Sequence, residues 1–258
     1  MNIEHWTLNI EYIILIMRKF LIAALMLVPF IGFAAQKSDT FTTPNGKTVV
    51  INHIKHASIH IEYDGRHIYV DPVGNTVLPE TNVRLLPKAH IILLTHEHPD
   101  HFDPIALPQM YQPATAVYAN SSVIDKVHRG IALHNGDSLI FANDIKIWAV
   151  PAYNTTEGRQ QFHPKGRDNG YVLELDGLRI YIAGDTEDIP EMEQIKDIDV
   201  AFLPCNQPYT MTIDQLVKAA KTIMPKVLFP YHYSETPIQQ VRLKLAGSGI
   251  DVRIRDYK

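Results

Sequence analysis

Residues 90–101 read HIILLTHEHPDH. Four consecutive aliphatic side chains run straight into three imidazoles and two carboxylates. A continuously apolar run this short suits a strand buried on both faces rather than one with a wet side. Such a strand needs cover above and below, which points to a layered α/β fold. His96, His98, Asp100 and His101 fall within six residues of a chain that holds only 13 histidines. A polar group buried without a partner is costly, so four crowded together need a common reason to be there.

The rest of the chain supports a strand-dominated α/β domain. β-branched and aromatic runs at 48–54, 57–63, 67–72, 138–141, 145–150, 170–176, 178–184, 198–204, 226–233 and 251–255 read as strands. Asp64-Gly65 and Asp176-Gly177 have the chemistry of hairpin turns, and Pro44-Asn45-Gly46 that of a further turn. Helices are expected at 120–129, at 212–223 with Thr212 as N-cap, and at 237–246. No repeat or long linker interrupts residues 36–258, so one domain is expected there.

Of the 258 residues 46% are apolar and 20% charged, ordinary proportions for a chain with a proper core. The net charge of −4 gives no general electrostatic reason to bind nucleic acid. The single cysteine, Cys205, allows neither an internal disulfide nor a cysteine-rich zinc module. Following an apolar strand, it reads as a small buried side chain.

Residues 17–35 place Arg18 and Lys19 before an apolar run that ends in small residues. This is the pattern of a cleaved export signal, and the run is short for a membrane span. Residues 1–35 are therefore read as a signal, with Met17 as a possible true start and an uncleaved anchor as the rival. The mature chain is expected in the periplasm or outside the cell, with no stable membrane span.

In an extended segment, residues two apart point the same way, so His96 and His98 can converge on one ion. Pro99 forces a turn, and Asp100 and His101 can then address a second point. The segment is not the helical zinc-protease motif HExxH, whose fifth position here is Asp100. Other candidate donors follow further apolar runs: Asp185 in Gly184-Asp185-Thr186, His232 in FPYHY, and Asn154 and His163 between them. Singly each could be a turn residue. Together they sit where α/β sheets place functional groups.

The segment THEHPDH resembles the HxHxDH signature of the metallo-β-lactamase-fold superfamily, and GDT and YHY fall where that superfamily has its later Asp and His ligands. Within it, KHASIHIEYDGRHIYVDPV, AGDTEDIPEM and YTMT are similar to the ascorbate-phosphate lactonase-like and N-acyl phosphatidylethanolamine phospholipase D-like branch. The resemblance covers about residues 48–254 and implies an αββα sandwich with metals at one edge. It implies that His96 and His98 hold one ion, Asp100, His101 and His232 another, and that Asp185 bridges both, orienting the nucleophile. Asp100 and Asp185 take the catalytic roles.

The family's third histidine for the first ion is replaced by Asn154, so His163 is preferred there, imidazole being the better zinc ligand. Two divalent ions are expected, Zn²⁺ first, with Mn²⁺ or Fe²⁺ as alternatives. They would share a hydroxide that attacks a phosphoester, lactone or amide in a small-molecule or lipid-like substrate. His56 and Asp71 are read evenly as supports of the ligands or as turn and core residues. Tyr209 is read as a packed aromatic in preference to a pocket wall. The rival classes are an iron-dependent oxidoreductase and a non-catalytic binding protein on the same fold.

Overall fold

The structure, a computed structural model, describes residues 38–79 and 81–257. The export signal read at 1–35 lies outside the described residues.

Among the described residues fourteen strands form two seven-stranded sheets, each in plain sequence order. The first holds β1 (Ser38–Thr42), β2 (Thr48–Lys55), β3 (Ser58–Tyr63), β4 (Arg66–Val70), β5 (Ile91–Leu94), β6 (Ala116–Ala119) and β7 (Ile131–Ala132). The second holds β8 (Ser138–Phe141), β9 (Ile145–Ala152), β10 (Asp168–Leu175), β11 (Leu178–Ile182), β12 (Val200–Pro204), β13 (Val227–Tyr231) and β14 (Asp251–Val252). Each sheet begins as an antiparallel meander of four strands and continues with three parallel additions. The two halves therefore repeat one topology, although the sequence shows no repeat.

The strand at 91–94 is buried on both faces, as its composition requires. Ile91 and Leu93 join the core between the sheets, whereas Ile92 and Leu94 join a second cluster with Phe102, Leu107, Met110 and Val123. The outer cluster is closed by α1 (Leu107–Met110) and α2 (Ser121–Val127). On the second half, α3 (Ile213–Ile223) buries Leu216, Ala219, Ala220 and Ile223. Thr212 caps it, and its hydroxyl and the Gln215 side chain each take the other's backbone N–H. A short α4 (Gln239–Lys244) follows. No helix of the described residues is long and apolar enough to cross a membrane.

The structure departs from sequence expectation mainly in short elements. β1 lies in a stretch that reads as polar, because much of it faces water at a sheet edge. β6 and β7, of four and two residues, are too short to show a period, and α1 is a single turn. The last strand shrinks to Asp251–Val252. The Asp64-Gly65 and Asp176-Gly177 turns form, all four residues at positive φ.

The two halves meet at their strand ends. Asn169 N–H donates to Thr95 O, and His232 N–H donates to His56 O (3.1 Å each). Gly184 turns at φ +66°, and a Cβ there would lie 2.8 Å from Asn169 O and 3.3 Å from the Thr95 Cβ. Only glycine fits this close, left-handed corner, which carries Asp185.

Candidate metal centre

The carboxyl ends of β4, β5, β11 and β13 lead into Asp71, Thr95-His96, Gly184-Asp185 and His232. Asp71, His232 and His56 all sit at positive φ (44°, 48° and 54°). For residues other than glycine this backbone costs on the order of 1–3 kcal/mol each, and it persists where surrounding contacts over-determine it.

All seven donors expected from sequence come together. His96, His98 and His163 form one group whose ligand atoms lie within 4.8 Å of one another. Asp100, His101 and His232 form a second, joined by His56. Asp185 stands between them. Its Oδ2 is 3.4 Å from both His163 Nε2 and His232 Nε2, and 3.9 Å from His96 Nε2. Its Oδ1 is 3.3 Å from His101 Nε2. Asp100 Oδ2 lies 3.0 Å from His56 Nε2 and 3.2 Å from His232 Nε2.

The hydrogen bonds around the rings fix which nitrogens face inward. Thr95 donates its hydroxyl to Asp71 Oδ2 (2.6 Å), so its oxygen accepts from His96 Nδ1–H (2.9 Å). Asn154 donates Nδ2–H to Tyr209 O, so its Oδ1 accepts from His163 Nδ1–H (2.7 Å each). Both Nε2 atoms are then bare lone pairs. They lie 3.0 and 3.2 Å from His98 Nδ1, which can offer at most one proton between them. At least one contact between acceptors is left uncompensated. His101 is held from both sides: its Nδ1–H donates to Asp71 Oδ2 (2.7 Å), and its Nε2 faces Asp185 Oδ1 at 3.3 Å, both of those atoms buried. A cation is what such a set lacks.

Burial keeps most of these imidazoles neutral. It pushes His96 well below its ordinary value and His163 down to about 4, and it lowers His98 and His56. Burial would raise Asp185, but the His232 and His101 rings hold it well below the usual carboxylate range. His101 goes the other way: burial pushes it down, yet Asp185 and Asp71 hold it well above the histidine range. A lone proton on His101 thus stands in for positive charge that the paired carboxylates demand. Neutral nitrogens beside ionised oxygens suit a borderline divalent ion.

His163 turns its Nε2 inward, and Asn154 holds the ring from behind. Of the two residues read evenly, Asp71 fastens His101 and the Thr95 backbone, and His56 touches Asp100 directly. Tyr209 corrects expectation: it is 45% exposed, set edge-on against Phe162 at 5.0 Å, because only its backbone is tied down. Cys205 is buried as expected, and burial pushes its thiol up to about 12.

Sequence reasoning missed Glu187. Buried in the turn after Asp185, its Oε2 accepts Thr155 N–H (2.7 Å), Thr155 O–H (2.8 Å) and Thr156 N–H (2.6 Å). It fastens the loop that runs from Asn154 to His163. One acidic residue among several, beside Asp185 and Asp188, gives no such signal.

A two-sheet sandwich with a His/Asp centre at its strand ends defines a metallohydrolase-type scaffold. Residues 50–232 match the beta-lactamase superfamily domain. The chain is 34% identical over 191 residues to a UPF0173 metal-dependent hydrolase of Ligilactobacillus salivarius, covering 70% of this chain and 84% of that one. It superposes on a metal-dependent hydrolase of Parabacteroides distasonis with a TM-score of 0.83 and 51% identity, covering 86% of this chain and 99% of that one. A metallo hydrolase of Ignicoccus hospitalis gives 0.66 and 27%, over 81% and 95%. The chain belongs to the beta-lactamase superfamily, as a metal-dependent hydrolase.

Proposed function

We propose that this hydrolase works with two divalent ions, Zn²⁺ in preference to Mn²⁺ or Fe²⁺, and cleaves a small anionic ester, most readily a phosphoester. A lactone or amide is the next choice. The observation that carries the reading is Asp185, whose one carboxylate faces both donor groups at 3.3–3.4 Å. His96, His98 and His163 would hold one ion, and Asp100, His101 and His232 the other. When bound, such a pair supplies a hydroxide nucleophile at neutral pH and positive charge for the developing oxyanion.

The chain's own residues do the rest. Asp185, buried and ionised, orients the attacking group between the two donor sets. Asp100 is the carboxylate open to solvent, its side chain 40% exposed, and although burial would raise it the His232 and His56 rings hold it ionised on the side a substrate would approach. A cavity of about 490 Å³ lies nearby, lined by Ser121, Ser122, His134, Lys165 and Arg167 among others. The Arg167 charge is felt at His98 and His163. Asp168 and Glu191 hold Arg167 and Lys165 in place. Each cation is paired with its carboxylate, so the positive field they add is modest, and it favours an anionic substrate over a neutral amide. The basic, apolar and small-residue succession at 17–35 supports export to the periplasm or the medium.

Elemental analysis of the purified protein and of His163→Ala tests the centre, with turnover of phosphoester, lactone and amide panels alongside. About two ions per chain in the wild type, fewer in the variant, and fastest turnover on a phosphoester are expected. At most one ion after reloading would sink the two-ion reading. Preference for a neutral amide would sink the substrate reading.

A further inference from the structure

A second cluster of metal-binding side chains lies on the first sheet, away from the strand ends. Ile59, Ile61, Ile68 and Val70 face the core between the sheets, so His60, Glu62, His67 and Tyr69 alternate onto the outer face. Glu62 and His67 are direct cross-strand partners, and His60 pairs with Tyr69. His60 Nε2 lies 3.0 Å from His67 Nδ1, and His60 Nδ1 lies 4.0 Å from Glu62 Oε1. The three residues offer ligand atoms within 4.8 Å of one another. His67 is at the opposite end of β4 from Asp71, about 13 Å away at strand rise. The cluster therefore belongs to neither donor group of the hydrolytic centre.

We propose that His60, Glu62 and His67 form a separate site for a borderline divalent ion such as Zn²⁺ or Cu²⁺. Two imidazoles and a carboxylate supply three ligands, and water completes the coordination. The half-buried Glu62 and His67 leave the site open for an ion to enter. The buried His60 ring is held by stacking on Tyr69 at 4.3 Å and 7°, and Tyr69 donates its hydroxyl to Pro87 O (2.9 Å). A rigid ring beside two adaptable ligands is a preorganised arrangement.

The hydrogen bonds say which proton must move. Asn52 reaches His60 Nδ1 with its Nδ2 (3.3 Å) and donates to Glu62 Oε1 (2.7 Å). Nδ1 of His60 is then the acceptor, and Nε2–H points at the bare His67 Nδ1. An ion entering between them takes Nε2, that proton exchanges onto Nδ1, and the Asn52 amide turns its Oδ1 to accept it, which frees a Glu62 oxygen for the ion. Burial holds His60 down at about 4, so at neutral pH no second proton competes. His60 stays a neutral imidazole throughout, so it releases no proton when the ion binds at neutral pH.

The test is equilibrium dialysis of the full chain against buffered Zn²⁺, with its hydrolytic centre saturated, read by elemental analysis. His67→Ala and Glu62→Gln are compared with the wild type, and hydrolysis and thermal melting are followed in each. Both positions are partly exposed, so both variants should fold. His67→Ala is expected to bind one Zn²⁺ fewer than the wild type, and Glu62→Gln to bind it about tenfold more weakly. Hydrolysis should be unchanged in both. Equal Zn²⁺ uptake by wild type and His67→Ala at every free concentration overturns the site. Loss of an ion together with loss of hydrolysis also overturns it, because the ion would then belong to the hydrolytic centre. Either result is read as a difference between proteins, so it does not depend on how many ions that centre holds.

Discussion

The two halves share a strand order but furnish the centre differently. In the first half a single loop, His96 to His101, delivers four donors in six residues. In the second half Asp185, His163 and His232 come from three separate connections. Yet both halves fasten their loops by the same device. Asp71 accepts Thr95 N–H (2.8 Å), Thr95 O–H (2.6 Å) and His101 Nδ1–H (2.7 Å). Glu187 accepts two backbone N–H groups and one hydroxyl from Thr155 and Thr156. The difference is reach. Asp71 touches a donor ring directly, whereas Glu187 acts through Thr155, Asn154 and only then His163. A buried carboxylate that satisfies several donors is rigid, and what it rigidifies depends on how many bonds separate it from the chemistry.

The comparison can be broken by substitution. Asp185→Asn should have the largest effect, since this one carboxylate faces both groups. We expect hydrolysis to fall by more than about 100-fold, beyond the range set by residues that merely support ligands. Asp71→Asn comes next. It keeps shape but replaces an acceptor oxygen at Thr95 or His101 with a donor, and should weaken metal retention by about 10- to 100-fold. Steady-state kinetics and chelator competition measure both. If Asp71→Asn exceeded Asp185→Asn, the centre would depend more on the carboxylate behind its rings than on the one that faces both groups.

Glu187→Gln sharpens the contrast. The amide keeps one acceptor oxygen for the Thr155 and Thr156 donors but loses the charge. Its effect on hydrolysis should be about tenfold or less, with a stability loss of about 1 kcal/mol from weaker hydrogen bonds to a neutral group. On the proposed two-ion reading, the ion near His163 should be released more readily than the other. A Glu187→Gln loss equal to that of Asp71→Asn would show that distance along the chain does not matter, and the contrast drawn above would fail.

How much of this could be read beforehand follows from what is local. The first half's donors were legible because one apolar run and one proline fix them within a single segment. β5 advertised its double burial in four aliphatic residues, and the structure divides them evenly between two cores. Asp185 and His232 were legible only through their order and their resemblance to a family pattern. The register that unites them is set by β11, β12 and β13, which no single window contains. Asn154 was ambiguous because an amide can ligate or support, and its role depends on Tyr209 O, 55 positions away. Glu187 and the positive φ of His56, Asp71 and His232 left no mark, since both are products of tertiary packing. The repeated strand order is equally silent, because pairing topology constrains which faces are apolar, not which residues make them so.

The smallest expected effect concerns the seam between the halves away from the centre. His53, on β2, lies 4.7 Å from the Phe229 ring of β13. Its Nε2–H donates to Asp39 Oδ2 (2.7 Å), and its Nδ1 accepts from the Tyr257 hydroxyl (2.6 Å). The ring is thus satisfied when neutral, and protonation would remove the acceptor that Tyr257 needs. Burial pushes its pKa down to about 4 from an ordinary 6.5, against the pull of Asp39. Between those values the unfolded chain binds more protons than the folded one, so stability falls as pH falls. From pH 7 to pH 6 this one ring accounts for about 0.7 kcal/mol, or roughly 2 °C in Tm for a domain of this size. Asp39, itself held at about 2, contributes only at lower pH. Thermal melts of wild type and His53→Gln over that interval should differ in slope by this amount, with hydrolysis at pH 7 unaltered. Parallel slopes would mean that the seam is not held by a neutral His53.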